Sequence, residues 1–258
     1  MNNIRAVAGI VIKELYRRKD FYVLFILTIL ICVVMASVHI FNDAKIVRYL
    51  KEICLLLVWI SSLVIAITTT ARQIPGEREN RTLFPLLAKP LTRTELLLGK
   101  FLGCWLACGL ALLCFYTFFG LLAASREHHW PLVNYLQAGG LHWLMLGVVI
   151  AATLLGSLVF AAPSSNATII FVMVTGILLL GRHLNKVALT LPEPRRSVLY
   201  SAYYALPHLE LFDMRDLIIH NWPPIAWGVC GIVALYALAY AALFLISACL
   251  VFRRRALN

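Results

Sequence analysis

Charge is scarce in this chain: only 14% of its 258 residues are charged and 62% are apolar, with a mean hydropathy of +0.86. A water-soluble domain of this size carries nearer a quarter charged residues, so a soluble enzyme is excluded. A secreted disulfide framework is excluded as well, because all seven cysteines fall inside apolar runs. The central parts of those runs contain no Asp, Glu, Lys or Arg, which argues against a carrier driven by ion or proton coupling. They also lack the paired acids, the His with Glu, or the Ser with Lys at membrane depth that an intramembrane protease or lipid transferase would need. A phosphate-binding loop is missing too. Gly99-Lys100 is followed by Phe101, and Thr94 stands where the first glycine of G-x-x-x-x-G-K belongs. Any nucleotide hydrolysis must therefore occur in another chain, and the sequence offers no catalytic, cofactor-binding or metal-ligating set of its own.

What the sequence does have is hydrophobic runs of membrane length. A spanning helix needs about 20 apolar residues, and five charge-free windows meet that length: residues 21–40, 53–71, 101–124, 141–162 and 224–252. A sixth, Ala167 to Gly181, reaches only about 22 Å at 1.5 Å per residue, so it must borrow residues 163–166 or thin the bilayer. Six spans place both termini on one side. With the amino terminus in the cytoplasm, 14 of the 23 Lys and Arg lie in inner segments, so the positive-inside rule sets both termini in the cytoplasm of a cell's inner membrane. The net charge of +11 is then mostly an orientation signal and an attraction to anionic lipid, and no nucleic-acid partner is needed. The first run is too long for a cleavable signal and lacks a small-residue cleavage pattern, so it is expected to stay in the protein. Ahead of it, residues 4–19 carry Ile4, Val7, Ile10, Val11 and Leu15 near helical spacing against Arg5, Lys13, Arg17 and Arg18, the pattern of a helix lying in the membrane interface, or else of a solvated flank that anchors the first span.

The cytoplasmic segment 72–100 reads as two helices. Thr82 caps a short helix over Leu83 to Ala88 with Pro85 in its first turn, Pro90 stops it, and Thr92-Arg93-Thr94-Glu95 is a capping box that starts the next. Leu83, Phe84, Leu86 and Leu87 form an apolar knob rimmed by Glu77, Arg78, Glu79, Arg81, Lys89 and Arg93. Such a knob can dock a partner, or it can fold back onto the helix ends and headgroups.

The run Glu77-Arg78-Glu79-Asn80-Arg81-Thr82-Leu83-Phe84-Pro85-Leu86-Leu87-Ala88-Lys89-Pro90-Leu91-Thr92-Arg93, continued by Glu95-Leu96-Leu97-Leu98-Gly99-Lys100, resembles the membrane subunits of type-2 ATP-binding-cassette (ABC) exporters. Ile12-Lys13-Glu14-Leu15 resembles their elbow helix, and Leu206 to Asp213 the segment ahead of their last span. Arg81 departs from the glycine common before the threonine.

The resemblance implies an all-α polytopic membrane protein: one permease domain over residues 1–258, with six transmembrane helices, an amino-terminal elbow, a coupling helix over Leu83 to Ala88, and outer-leaflet helices before the last span. It implies that Glu77, Arg78, Glu79, Thr82, Leu83, Phe84, Leu86, Leu87, Pro90 and Arg93 serve an interface with a cytoplasmic ABC ATPase present in two copies. ATP and magnesium would be held by that ATPase. The same likeness implies a dimer with a second copy or a similar permease, and a lid over the exit formed by segment 182–222.

Other features carry less. Ser61, Ser62, Thr68 and Thr69 make the second run rich in hydroxyls, which serve helix packing; the resemblance implies that this run lies beside a two-fold axis, where the same hydroxyls would line a path. Gly99 and Gly103 form a G-x-x-x-G packing pair. Cys104 and Cys108 read as packing residues, and His39 and His142 as residues of the outer interface. Glu210, Asp213, Asp216 and His220 are spaced to share one helical face, either a wet face or an exit-side site for a cation or an accessory extracytoplasmic protein. The alternatives to transport are a membrane scaffold and a membrane-embedded enzyme.

Overall fold

The computed structural model describes residues 2–17, 22, 26, 28–31, 33–34, 44–79, 92–127 and 131–254, and it contains no strand among them. The helices are α1 (Asn2–Arg17), α2 (Ala44–Ala71), α3 (Pro75–Glu79), α4 (Arg93–Glu127), α5 (Leu132–Val159), α6 (Pro163–Thr190), α7 (Arg195–Ala205), α8 (Arg215–Ile219) and α9 (Trp227–Arg254), with a 3-10 turn at Leu209–Phe212. Four stretches among the described residues are long and apolar enough to cross a membrane: Arg48–Glu77, Arg93–Ser125, Leu132–Val159 and Trp227–Arg254. Pro163–Leu179 is a shorter apolar helix. The first expected span lies largely outside the described residues, so the expected count of six rests on the sequence.

The helices run past the charge-free windows that announced them. α2 starts nine residues before Ile53 and α5 nine before Leu141, because polar residues at a span's end continue a helix at little cost once water or protein can satisfy them. The short sixth window is likewise only the middle of α6. The helix begins at Pro163, where the missing N–H costs nothing, and runs to Thr190. Asn166, in its first turn, is buried and donates from Nδ2 to the Thr153 carbonyl at 3.0 Å, which fixes the start of α6 on α5.

α5 is the centre of the bundle and packs against α2, α4, α6 and α9. Where it meets α4, two tryptophans lie against each other. The Trp105 and Trp143 rings stack at 4.5 Å, and each indole N–H donates to the other's carbonyl at 3.0 Å. One turn after each tryptophan comes a glycine, Gly109 and Gly147, whose missing side chain leaves room for the opposite ring: a Cβ there would fall 2.5 Å and 2.9 Å from the Trp143 and Trp105 Nε1 atoms. By contrast α9 leaves Ile232, Leu235, Leu243 and Ile246 exposed, the all-round apolar surface of a helix that faces hydrocarbon.

α1 is amphipathic, though its apolar face is narrower than the pattern predicts: Val7, Val11 and Leu15 are buried, Ile4 is half-buried, and Ile10 is exposed with Arg5, Lys13 and Arg17. It packs on α4, not on solvent-facing loops. Val7 sits over Gly99 and Val11 over Gly103, so close that an added Cβ would approach the valine Cβ atoms to 2.6 Å and 2.7 Å. The G-x-x-x-G pair thus serves the contact between the amino-terminal helix and α4.

Candidate functional site

Lys51 and Gln73 are 22 residues apart on one continuous path, which at helical rise separates them by about 33 Å and puts them at opposite ends of the bundle. The Gln73 end gathers α1, the flanks of the segment holding residues 80–91, and the carboxyl-terminal turn of α9. Residues 80–91 lie outside the described residues, and with them Thr82, Leu83, Phe84, Leu86, Leu87 and Pro90. Arg78 and Glu79 belong to α3 by their backbone.

The two flanks are well defined. α2 ends in a turn in which Gln73 N–H donates to the Thr70 carbonyl at 3.1 Å, and α3 follows with Pro75 first and Glu77 in its first turn, both favourable for a helix start. This five-residue helix was not anticipated. On the far flank the capping box forms as read. Thr92 N–H donates to Glu95 Oε2 at 2.9 Å, Glu95 N–H donates to Thr92 Oγ1 at 3.2 Å, and Leu96 N–H donates to the Thr92 carbonyl at 3.0 Å.

A buried ion pair joins the flanks. Lys100, with 1% of its surface exposed, directs its ammonium at Glu77 Oε1 at 2.7 Å, the Gln73 carbonyl at 2.9 Å and Gln73 Oε1 at 3.1 Å. An ammonium has three N–H donors, and all three have acceptors. Gln73 Nε2 and Thr70 Oγ1 are buried beside it without partners. Glu77, which the sequence grouped with the rim of a docking surface, thus has its Oε1 on Lys100. Arg93 forms the second tie: its Nη1 donates to the Phe252 and Arg253 carbonyls at 2.8 Å and 3.5 Å, and its guanidinium lies 5.6 Å from the Phe252 ring centre. Free carbonyls at a helix carboxyl terminus attract a cation, so Arg93 caps α9.

At the other end, α5 holds the connection that precedes α9. Asn134 Nδ2 donates to the Leu217 and Trp222 carbonyls, and Gln137 exchanges two hydrogen bonds with the Ile225 backbone at 2.7 Å and 3.0 Å. Lys51 is buried there and donates to the Ile218 carbonyl and Asn221 Oδ1, both at 3.3 Å. Asp213 grips Arg215 through two contacts of 2.8 Å, and the guanidinium lies 5.1 Å from the Trp59 ring centre. Burial works against that charge, but the hydrogen bonds and charge of Asp213 outweigh it and raise the Arg215 pKa above its ordinary value.

Several expectations change here. Glu210, Asp213, Asp216 and His220 do not share a helical face, because residues 213–214 break the helix between the 3-10 turn and α8. Glu210 rests against Gly181, and His220 stacks on Trp222 and meets Arg48. Among the described residues no group of three His, Cys, Asp or Glu could hold a metal ion. His142 is not interfacial: it is fully buried, stacked on Trp59, and hydrogen-bonded to Ser62 Oγ at 2.9 Å and Tyr116 Oη at 3.4 Å. The hydroxyls of α2 divide between two faces. Ser62 and Thr69 are buried, whereas Thr68 is exposed and Ser61 meets Thr28 at 2.7 Å. Thr68 and Thr69 both turn back onto carbonyls one turn earlier, which leaves their hydroxyl protons occupied.

Sequence reading missed Gln73, Asn134 and Gln137 as anchors. The available signal was their position: an amide just outside a long apolar run, at a helix end where backbone groups need partners.

No curated protein matches the chain. Residues 6–257 match a protein family described as ABC-2 family transporter protein, nearly the whole length of the bundle just described. The chain belongs to the ABC-2 transporter family and is a multi-pass membrane protein of the permease kind.

Proposed function

We propose that this chain is the permease subunit of an exporter in the cell's inner membrane, with both termini cytoplasmic, and that it moves its substrate with energy from a separate ABC ATPase. Six spans, an elbow formed by α1 and a dimer with a second copy or a similar permease complete the arrangement. Two ATPase subunits hold ATP and magnesium and grip Leu83 to Ala88, the coupling helix. Closing of the ATPase pair on nucleotide shifts the bundle between states that expose a central cleft to one side or the other. The residues of segment 182–222 cover the exit.

The observation that carries this reading is the way the two flanks of the 80–91 segment are tied. One flank is tied to the start of α4 through Glu77 and Lys100, the other to the end of α9 through Arg93. A load on that segment meets three long helices at once, which a slack surface loop would not do. A scaffold that merely recruits a protein needs no such ties.

The test is recovery of the companion. The tagged chain, solubilised in mild detergent from membranes of its source cells after chemical crosslinking, is expected to bring down a protein with a phosphate-binding loop and ATPase activity. Repeated isolation without any nucleotide-hydrolysing partner would contradict the reading.

A further inference from the structure

We propose that Lys100, Glu77 and Gln73 form a latch that makes the Gln73 end of α2 and the Lys100 end of α4 move as one body when residues 80–91 are loaded. The latch rests on the coupling reading above and adds to it: Lys100 and Glu77 are positioning residues for force transfer, not contacts of the ATPase.

The geometry requires some such device. The chain leaves α2 through a three-residue turn and the five-residue α3, and re-enters the membrane at α4. If only those backbone links joined the helices, a pull on residues 80–91 could straighten α3 and be absorbed there. Lys100 bypasses that weak link. Its ammonium grips Glu77, within α3, and the Gln73 carbonyl, within the turn, from a position two helical turns inside α4. Turn, short helix and long helix are thereby joined at one atom, Nζ, whose three donors are all used.

Stability gives a poor account of the cluster. Burying an ion pair costs desolvation that its attraction only roughly repays, and apolar residues of similar size often replace such pairs without loss. The neighbouring Gln73 Nε2 and Thr70 Oγ1, buried and unpartnered, add a further cost. What the arrangement does supply is direction, since a saturated ammonium fixes three acceptors in one geometry. The helix carrying it is itself braced, because Gly99, the adjacent residue, is in close contact with Val7 of α1.

The experiment uses the full chain in lipid nanodiscs with its partner ATPase, and follows hydrogen exchange of residues 195–219, at the far end of the bundle, without nucleotide and with ATP plus orthovanadate. Wild type is expected to show a nucleotide-dependent change there. The double variant Glu77→Gln/Lys100→Met should bind the ATPase and melt as wild type does, yet lose most of that change. Should the double variant not accumulate, Glu77→Gln alone, a neutral isostere, is expected to lose part of the change. A full wild-type response in the neutral variants overturns the latch while leaving the coupling reading intact. A wild-type chain that binds no ATPase overturns both.

Discussion

Exchanging Leu86 and Leu87 for glutamate is expected to abolish ATPase binding and with it any nucleotide-driven movement, while the chain still inserts and folds. Burying a leucine contributes about 1.5–3 kcal/mol, so losing two removes about 4 kcal/mol from the docking free energy, roughly a thousandfold in affinity. Two carboxylates forced into an apolar cleft would lower it further. Insertion should be spared, because the contacts that hold this end of the bundle lie elsewhere: Arg93 with α9, and α1 on Gly99 and Gly103. The check is paired. Titration of the ATPase onto the nanodisc-embedded variant measures the affinity, and the monodisperse fraction on size exclusion measures folding. Unchanged affinity in a folded variant would contradict docking through residues 83–88.

The largest loss of stability is expected from Trp143→Ala. This substitution removes a ring stacked at 4.5 Å on Trp105, a hydrogen bond to the Trp105 carbonyl, and the group that fills the space over Gly109. Stacking is worth about 1 kcal/mol, an interhelical hydrogen bond in a membrane about 0.6, and a large-to-small cavity adds further cost, for a total of about 3 kcal/mol. Trp143→Phe keeps an aromatic ring without the N–H and should recover about half. Because the two tryptophans form one unit, Trp105→Ala/Trp143→Ala should cost less than the two single changes together. Thermal unfolding in one detergent, followed for all four variants, gives the comparison. Losses that simply add would show that the rings act independently.

The parts of this structure that were legible in the sequence are those fixed by local chemistry. Thr92 and Glu95 form their capping box because both partners lie within one turn, and Val7, Val11 and Leu15 mark the buried side of α1 because helical period alone puts them there. The apolar windows located the long helices but not their ends, since hydropathy is blind to polar residues that the fold itself satisfies. Asn166, Asn134 and Gln137 are such residues. His142 was misplaced for a related reason. Its neighbours Ser62 and Tyr116 come from other helices, 80 and 26 residues away, and no period along α5 reports them. The interlocked tryptophans could be written from the sequence as two Trp-x-x-x-Gly repeats, but only the packing of α4 on α5 gives the glycines their purpose. On the Lys100 end, the sequence grouped Glu77 with the docking surface because it counted charges by proximity along the chain. The ion pair with Lys100 joins residues 23 apart, and no pattern along the chain reports it.

The most direct measurement is photocrosslinking from position 87. A photoreactive amino acid placed there, irradiated in intact membranes, is expected to give a single main adduct with the cytoplasmic ATPase, and the same probe at Tyr49 on the other end of the bundle should give none. An adduct at position 87 with lipid alone, or with a protein on the opposite side of the membrane, would contradict the claim that energy enters this permease through residues 83–88.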